Sequence, residues 1–174
     1  FRGQSSNHMS NLLVQNIKHT NGTTAMTVDS AGRILTPTRP AFQARGANEA
    51  YVQTNPVPFP TADINVGSCY NTSTYKFTAP IAGMYYFYHA VYHKNTAGEY
   101  GTTMYTKNDG TDGNVGAGGF FYNNDSGSMY TTISVPLLIS LTANDTIKVA
   151  FLSGSSGEYW NGEHECIFGG YLLG

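Results

Sequence analysis

Alternation of apolar and polar positions is the plainest signal in the chain. From Met129 to Leu141, the residues Met129, Ile133, Val135, Leu137, Ile139 and Leu141 fall on one side of an extended backbone. Tyr130, Thr132, Ser134 and Ser140 fall on the other. Successive side chains of a β-strand point to opposite faces, so a period of two held this long predicts one strand with a buried face. Ile147, Val149 and Phe151 repeat the pattern after the turn signal Asn144-Asp145, and the apolar run from Ile167 to Leu173 predicts a closing strand. Turn signals at Pro56-Val57-Pro58-Phe59-Pro60, Asn71-Thr72-Ser73, Ala79-Pro80, Asn108-Asp109-Gly110, Asn123-Asn124-Asp125 and Ser153-Gly154-Ser155 cut the rest into short strands. No helical period competes, and about eight strands in all suit a sandwich or jelly roll.

The segment from Gly83 to Tyr92 departs from the alternation. One face carries Tyr85, Phe87, His89 and Val91, the other Met84, Tyr86, Tyr88, Ala90 and Tyr92. An antiparallel sheet of a monomeric sandwich normally shows water one polar face, so a strand apolar on both faces needs a second cover. The simplest cover is another subunit, which makes Tyr86, Tyr88 and Tyr92 candidate interface residues. The alternative is that the Tyr rings lie flat on the surface with their hydroxyls in solvent.

Before this region the pattern thins. Residues 1–8 read as a protease-site and cloning remnant, and Met9-Ser10-Asn11-Leu12 as a natural start. Positions 9–39 form a slender arm of modest apolar content, with a tight hairpin turn expected at Asn21-Gly22. The prolines of Thr36-Pro37-Thr38-Arg39-Pro40 interrupt any ladder, which places the main domain at 40–174 and leaves the arm in need of partners to be ordered.

Composition agrees with an all-β chain. Tyr 13, Phe 9 and Gly 20 against one Trp favour strands joined by glycine turns. Nine Lys and Arg and a net charge of -2 supply no positive field for nucleic acid. No apolar run approaches the ~20 residues that span a bilayer, so no membrane insertion is expected. A start at Met9 carries no export signal, which suggests synthesis and assembly inside a cell, with Cys69 and Cys166 as buried thiols of the core.

Phe59, Asn65, Tyr70, Phe77, Gly83, Tyr85 and Phe87 fall at the intervals of the signature of the complement component 1q globular head, with His89 standing at its last aromatic position. Phe168-Gly169-Gly170-Tyr171-Leu172-Leu173 resembles that family's closing strand, and Leu141-Thr142-Ala143-Asn144-Asp145-Thr146-Ile147 its turn into the strand before. The resemblance implies a ten-stranded jelly roll, shared with the tumour-necrosis-factor superfamily, that assembles as a homotrimer about an axis lined by aromatic and aliphatic side chains. There is no Gly-X-Y stalk. Residues 16–34 are instead similar to segments preceding such heads in bacteriophage virion proteins.

Enzyme chemistry finds no footing. Asn124-Asp125-Ser126-Gly127 lacks the His and Asp partners of a nucleophilic triad, and the glycine run 113–119 has no phosphate-loop Lys and reads as a flexible loop. Glu163-His164-Glu165, on an expected strand, would point to opposite faces and cannot jointly clasp a metal. Calcium, which the family can hold near its trimer axis, is the one ion to consider, with Asp109, Asp112 and Asp125 as loop oxygen donors; turn formation is the favoured account of such residues. For recognition, the candidates are loop aromatics, Tyr100, Tyr122, Tyr159 and Trp160, able to stack on a sugar ring or anchor a protein.

The expectation is a non-enzymatic homotrimeric bacteriophage virion protein, a tail-fibre or surface head that binds a host glycan or protein while its arm meets other virion proteins. Two alternatives stand beside it: a capsid decoration protein, and a secreted complement-type recognition head, which requires an export signal upstream of Met9.

Overall fold

The computed structural model describes residues 13–46, 49–52, 55–110, 114–151, 158–161 and 166–174, with backbone alone at 49–52, 114, 117 and 158–161. The chain divides between Thr38 and Arg39 into two units. In the first, β1 (Asn16–Lys18), β2 (Thr24–Val28) and β3 (Ile34–Leu35) form an antiparallel sheet in that order. The expected Asn21-Gly22 turn joins β1 to β2: Gly22, at a φ of 89° that a side chain would resist, donates its amide to His19 O at 2.9 Å. The next turn is held by Asp29, whose Oδ1 accepts the Ala31 and Arg33 amides at 2.9 Å each.

The second unit is an all-β jelly-roll sandwich of two facing sheets. Its strands are β4 (Ala41–Arg45), β5 (Glu49–Val52), β6 (Thr61–Val66), β7 (Tyr70–Asn71), β8 (Lys76–Thr78), β9 (Gly83–Asn95), β10 (Tyr100–Lys107), β11 (Asn114–Tyr122), β12 (Met129–Leu141), β13 (Thr146–Phe151), β14 (Glu158–Asn161) and β15 (Ile167–Leu172). One sheet runs β11-β10-β13-β8-β7. The other is centred on β9, which pairs along one edge with all of β12 and along the other first with β15 and then with β14; β4, β5 and β6 lie beyond. These twelve strands exceed the eight read from the pattern because pieces of two to four residues carry no period. Taking β4/β5 and β14/β15 each as one interrupted strand leaves ten.

The signature residues have a physical account. Phe59, Phe77, Tyr85 and Phe87 are fully buried, and with Phe42, Tyr70 and Phe168 they form an aromatic core in which Phe42 stacks on Tyr70 at 4.7 Å and meets Phe168 edge-on at 4.8 Å. Asn65 pins the turn into β7, donating to Tyr70 O (2.9 Å) and accepting from Tyr70 N (3.0 Å). At Gly83 a Cβ would meet Leu172 Cδ1 at 2.7 Å and Gly174 O at 3.0 Å, so a side chain there would make the closing strand give way. Cys69 and Cys166 are both buried thiols, and burial pushes the Cys69 thiol up to about 11. The turn after β12 is tied by Asp145, whose Oδ2 accepts Thr142 N (2.8 Å) and Oγ1 (2.9 Å) and faces Lys107 Nζ (3.1 Å).

The glycine run read as a flexible loop is instead β11. Its glycines serve close packing: a Cβ on Gly119 would lie 1.7 Å from Ile133 Cγ2, which brings β11 against β12 and closes that side of the sandwich. Gly119→Ala is therefore expected to lower stability by about 1–3 kcal/mol through overpacking, read as a drop in Tm.

Candidate functional site

Two surfaces of the head present side chains that its own core does not use. The first is the outer face of the β9 sheet. In β9, Tyr85, Phe87, His89, Val91, His93 and Asn95 turn inward and are buried; Tyr86, Tyr88, Ala90 and Tyr92 turn outward and are half-buried. Strand register extends that outward set across the sheet in rows. One row reads Val66, Ala41, Tyr171, Tyr86, Leu138, and the next Ile64, Gln43, Gly169, Tyr88, Pro136. Neither row carries a charge. Leu138 is 60% exposed, Tyr171 39% and Ile64 48%.

The face is ordered by ring contacts. Tyr86 lies 5.6 Å from Tyr171 and 6.5 Å from Tyr88, and Tyr92 stacks on Tyr130 at 6.0 Å. Tyr88 donates its hydroxyl to Gln43 Oε1 (2.8 Å), and its ring fills the space above Gly169, where a Cβ would come within 2.4 Å of it. Burial pushes the Tyr88 phenol above its ordinary value, with Tyr171 and Tyr86 adding to the effect. All three tyrosines expected at an interface thus face outward, Tyr86 and Tyr88 within the uncharged rows and Tyr92 beyond the row that carries Ala90, Ser134 and Arg45. The sequence reading missed Tyr171, Leu138 and Ile64. Leu138 and Pro136 were visible as breaks in the polar side of β12, but the regularity of its neighbours hid them.

The second surface lies at the far end of the sandwich. The chain enters the head beside Gly83, where Leu172 N donates to Pro40 O (3.0 Å) and Met84 N to Gly174 O (2.8 Å). The 13 residues of β9 carry it about 40 Å from there. At that distal end Tyr100 and Tyr122 face each other in register, and Phe120, 68% exposed, stacks on Tyr100 at 5.6 Å. Both tyrosines are strand residues, at the start of β10 and the end of β11, and not loop residues as the sequence suggested. Tyr159 and Trp160 are also on a strand, β14, at register positions opposite His93 and Tyr92; their side chains lie outside the described residues. Phe120, the most exposed ring of the group, was not singled out because its glycine neighbours looked like loop.

Along the inner face of β9, from its middle at His89 to this end, lies a set of buried polar side chains. His89 Nε2 shares a hydrogen bond with Thr103 Oγ1 (3.0 Å), and His93 stacks on Phe151 at 5.9 Å. Asn123 Nδ2 donates to Asn95 O (2.8 Å) and Gly127 O (2.6 Å), while Asn95 Nδ2 donates to Phe121 O (3.1 Å), so the two loops flanking Asn95 and Asn123 are tied to the core. His89 Nδ1, both ring nitrogens of His93 and Asn95 Oδ1 find no partner among the described residues. Gly101 packs beneath them: a Cβ there would be 2.6 Å from His93 Nδ1. Burial holds His93 down at about 4 and, with His93 adjacent, His89 at about 3.

The calcium candidates are not brought together. Asp109 follows β10 at the end where the chain enters, and its two oxygens face Lys76 Nζ (2.7 Å) and Lys148 Nζ (3.1 Å). Those ammonium groups hold its carboxyl below the usual range. Asp125 lies at the distal end, with the eight residues of β10, roughly 25 Å, between them, and Asp112 is outside the described residues. Glu163-His164-Glu165 is also outside them. Among the described residues no three His, Cys, Asp or Glu side chains gather as a metal site.

The fold has solved relatives. The globular domain of zebrafish complement 1qA protein aligns with a TM-score of 0.60 at 19% identity, over 78% of this chain and 98% of that one. No curated protein sequence matches the chain. Its residues 41–173 match the C1q domain. The span begins at the first residue of β4, ends one residue past β15, and takes in both sheets, the signature core and the aromatic face: this chain belongs to the C1q domain family.

Proposed function

We propose that the chain is a non-enzymatic, homotrimeric structural protein of a bacteriophage virion, a tail-fibre or surface head whose distal end meets a receptor on the host. The observation that carries the trimer is the outer face of the β9 sheet, where Tyr86, Tyr88, Tyr171 and Leu138 lie in two adjacent rows without a charge. Continuous apolar surface of this kind marks a protein interface. Family membership supports the same reading, because C1q-type heads are recognition and structural domains.

Support for recognition comes from placement. Tyr100, Tyr122 and Phe120 present rings about 40 Å from the point where the chain enters the head, the end free to meet a partner. Tyr159 and Trp160 belong to the same end by the register of β14 with β9. Virion placement rests on residues 16–34 and their similarity to segments that precede such heads in phage particles. The host ligand would be a neutral glycan or a protein surface, since the ring cluster itself carries no charge.

Gold-labelled antibody against the head, imaged on purified virions, tests the placement. Label confined to fibre tips or surface appendages is the expected result. A lattice of label over the whole capsid would replace the fibre with a decoration protein, and unlabelled virions would end the phage reading.

A further inference from the structure

The arm has an apolar face of its own. In β1–β3 the register pairs Ile17 with Met26 and Val28 with Ile34, which sets these four side chains on one side of the sheet. Asn16, Thr27 and Leu35 take the other side, where Thr27 Oγ1 donates to Asn16 Oδ1 at 2.8 Å. Ile34 is 64% exposed and Ile17 47%, and Met26 and Val28 are half-buried at most. A sheet of strands this short is marginal unless something covers its apolar side.

We propose that the cover is the same face of the other two arms of the trimer, so that Ile17, Met26, Val28 and Ile34 of three copies pack on one another. The inference rests on the trimeric reading of the head. Three observations carry it. The chain enters the head at Ala41, which belongs to the uncharged row with Tyr171, Tyr86 and Leu138, so the arms start from the interface itself. Arms tethered there share an effective concentration in the millimolar range, enough for weak faces to associate. No charged residue stands among the four, and the arm's Asp29 and Arg33 neutralise each other at 2.7 Å, which leaves Lys18 at the end of β1 as the one charge on the three strands.

Single cysteines in the full-length protein test it. Under mild oxidation Met26→Cys is expected to give mostly disulfide-linked chain pairs on a non-reducing gel, whereas Thr27→Cys, on the opposite face, gives at least tenfold fewer. Adding Ile34→Glu to Met26→Cys is expected to suppress the pairs by a similar factor. The mass of each variant in solution is measured alongside. Trimeric variants that cross-link equally from both faces, or from neither, overturn the arm proposal and leave the head trimer standing. Monomeric variants overturn both.

Discussion

Lowering the pH from 7 to 4 is expected to destabilise the head by on the order of 5 kcal/mol, with the loss beginning near pH 6.5. The cause is the pair of buried rings on the inner face of β9. In the unfolded chain each His takes a proton as the pH falls through about 6.5; in the folded head burial delays this to about 4 for His93 and about 3 for His89. Between those values the unfolded state binds more protons, so stability is complete above about pH 6.5 and declines as the pH falls through the window. Each ring contributes a slope of up to about 1.4 kcal/mol per pH unit. Asp29, Asp109 and Asp145, whose carboxyls are held low by their partners, lose their contributions only below the ordinary carboxylate range near 3.8. Denaturant unfolding at a series of pH values reads the effect, and His93→Leu is expected to flatten the profile by about half. A wild-type stability that stays level from pH 7 to 4.5 would contradict the burial of these rings.

The second large effect concerns assembly. Leu138→Glu is expected to convert the proposed trimer to a folded monomer at micromolar concentration. Leu138 projects outward and is 60% exposed in the single chain, so its replacement costs the sandwich little. It lies opposite Tyr86 in register, and in the proposed interface a carboxylate there would be buried without a partner. Each such charge costs about 3–5 kcal/mol and the threefold axis repeats it in every subunit, for a total of about 10 kcal/mol. Analytical ultracentrifugation gives the mass, and thermal unfolding shows that the fold survives. A Leu138→Glu protein that stays trimeric would move the interface elsewhere.

The long elements were legible in the sequence because period two in β9 and β12 needs only one strand's own residues to be seen. The aromatic core was legible through the signature spacing from Phe59 to Phe87. What escaped depends on neighbours far along the chain. Gly119 is explained only by Ile133, and Gly169 only by the Tyr88 ring; a run of glycines reads as loop, so β11 was lost. Tyr159 and Trp160 looked like loop residues because Ser, Gly and Asn flank them, and their strand exists only by pairing with β9 and β5. His93 lies two positions beyond Val91 on the buried face of β9, past Tyr92 where the alternating segment was taken to end. The sandwich accommodates it against Phe151 and Gly101, which alternation alone cannot show.

The interface face was half legible. Tyr86, Tyr88 and Tyr92 declared themselves by leaving no polar side on their strand. Tyr171 and Leu138 join them only through the register of β15 and β12 with β9. That register turns a doubly apolar strand into the multi-stranded face on which the proposed trimer rests. The measurement that bears on it most directly is the mass of the unaltered protein by sedimentation equilibrium at micromolar concentration. Three chains of 18.8 kDa, about 56 kDa, is the expected value, with no monomer on tenfold dilution. A single species of 18.8 kDa would contradict the threefold assembly and the reading of the aromatic face with it.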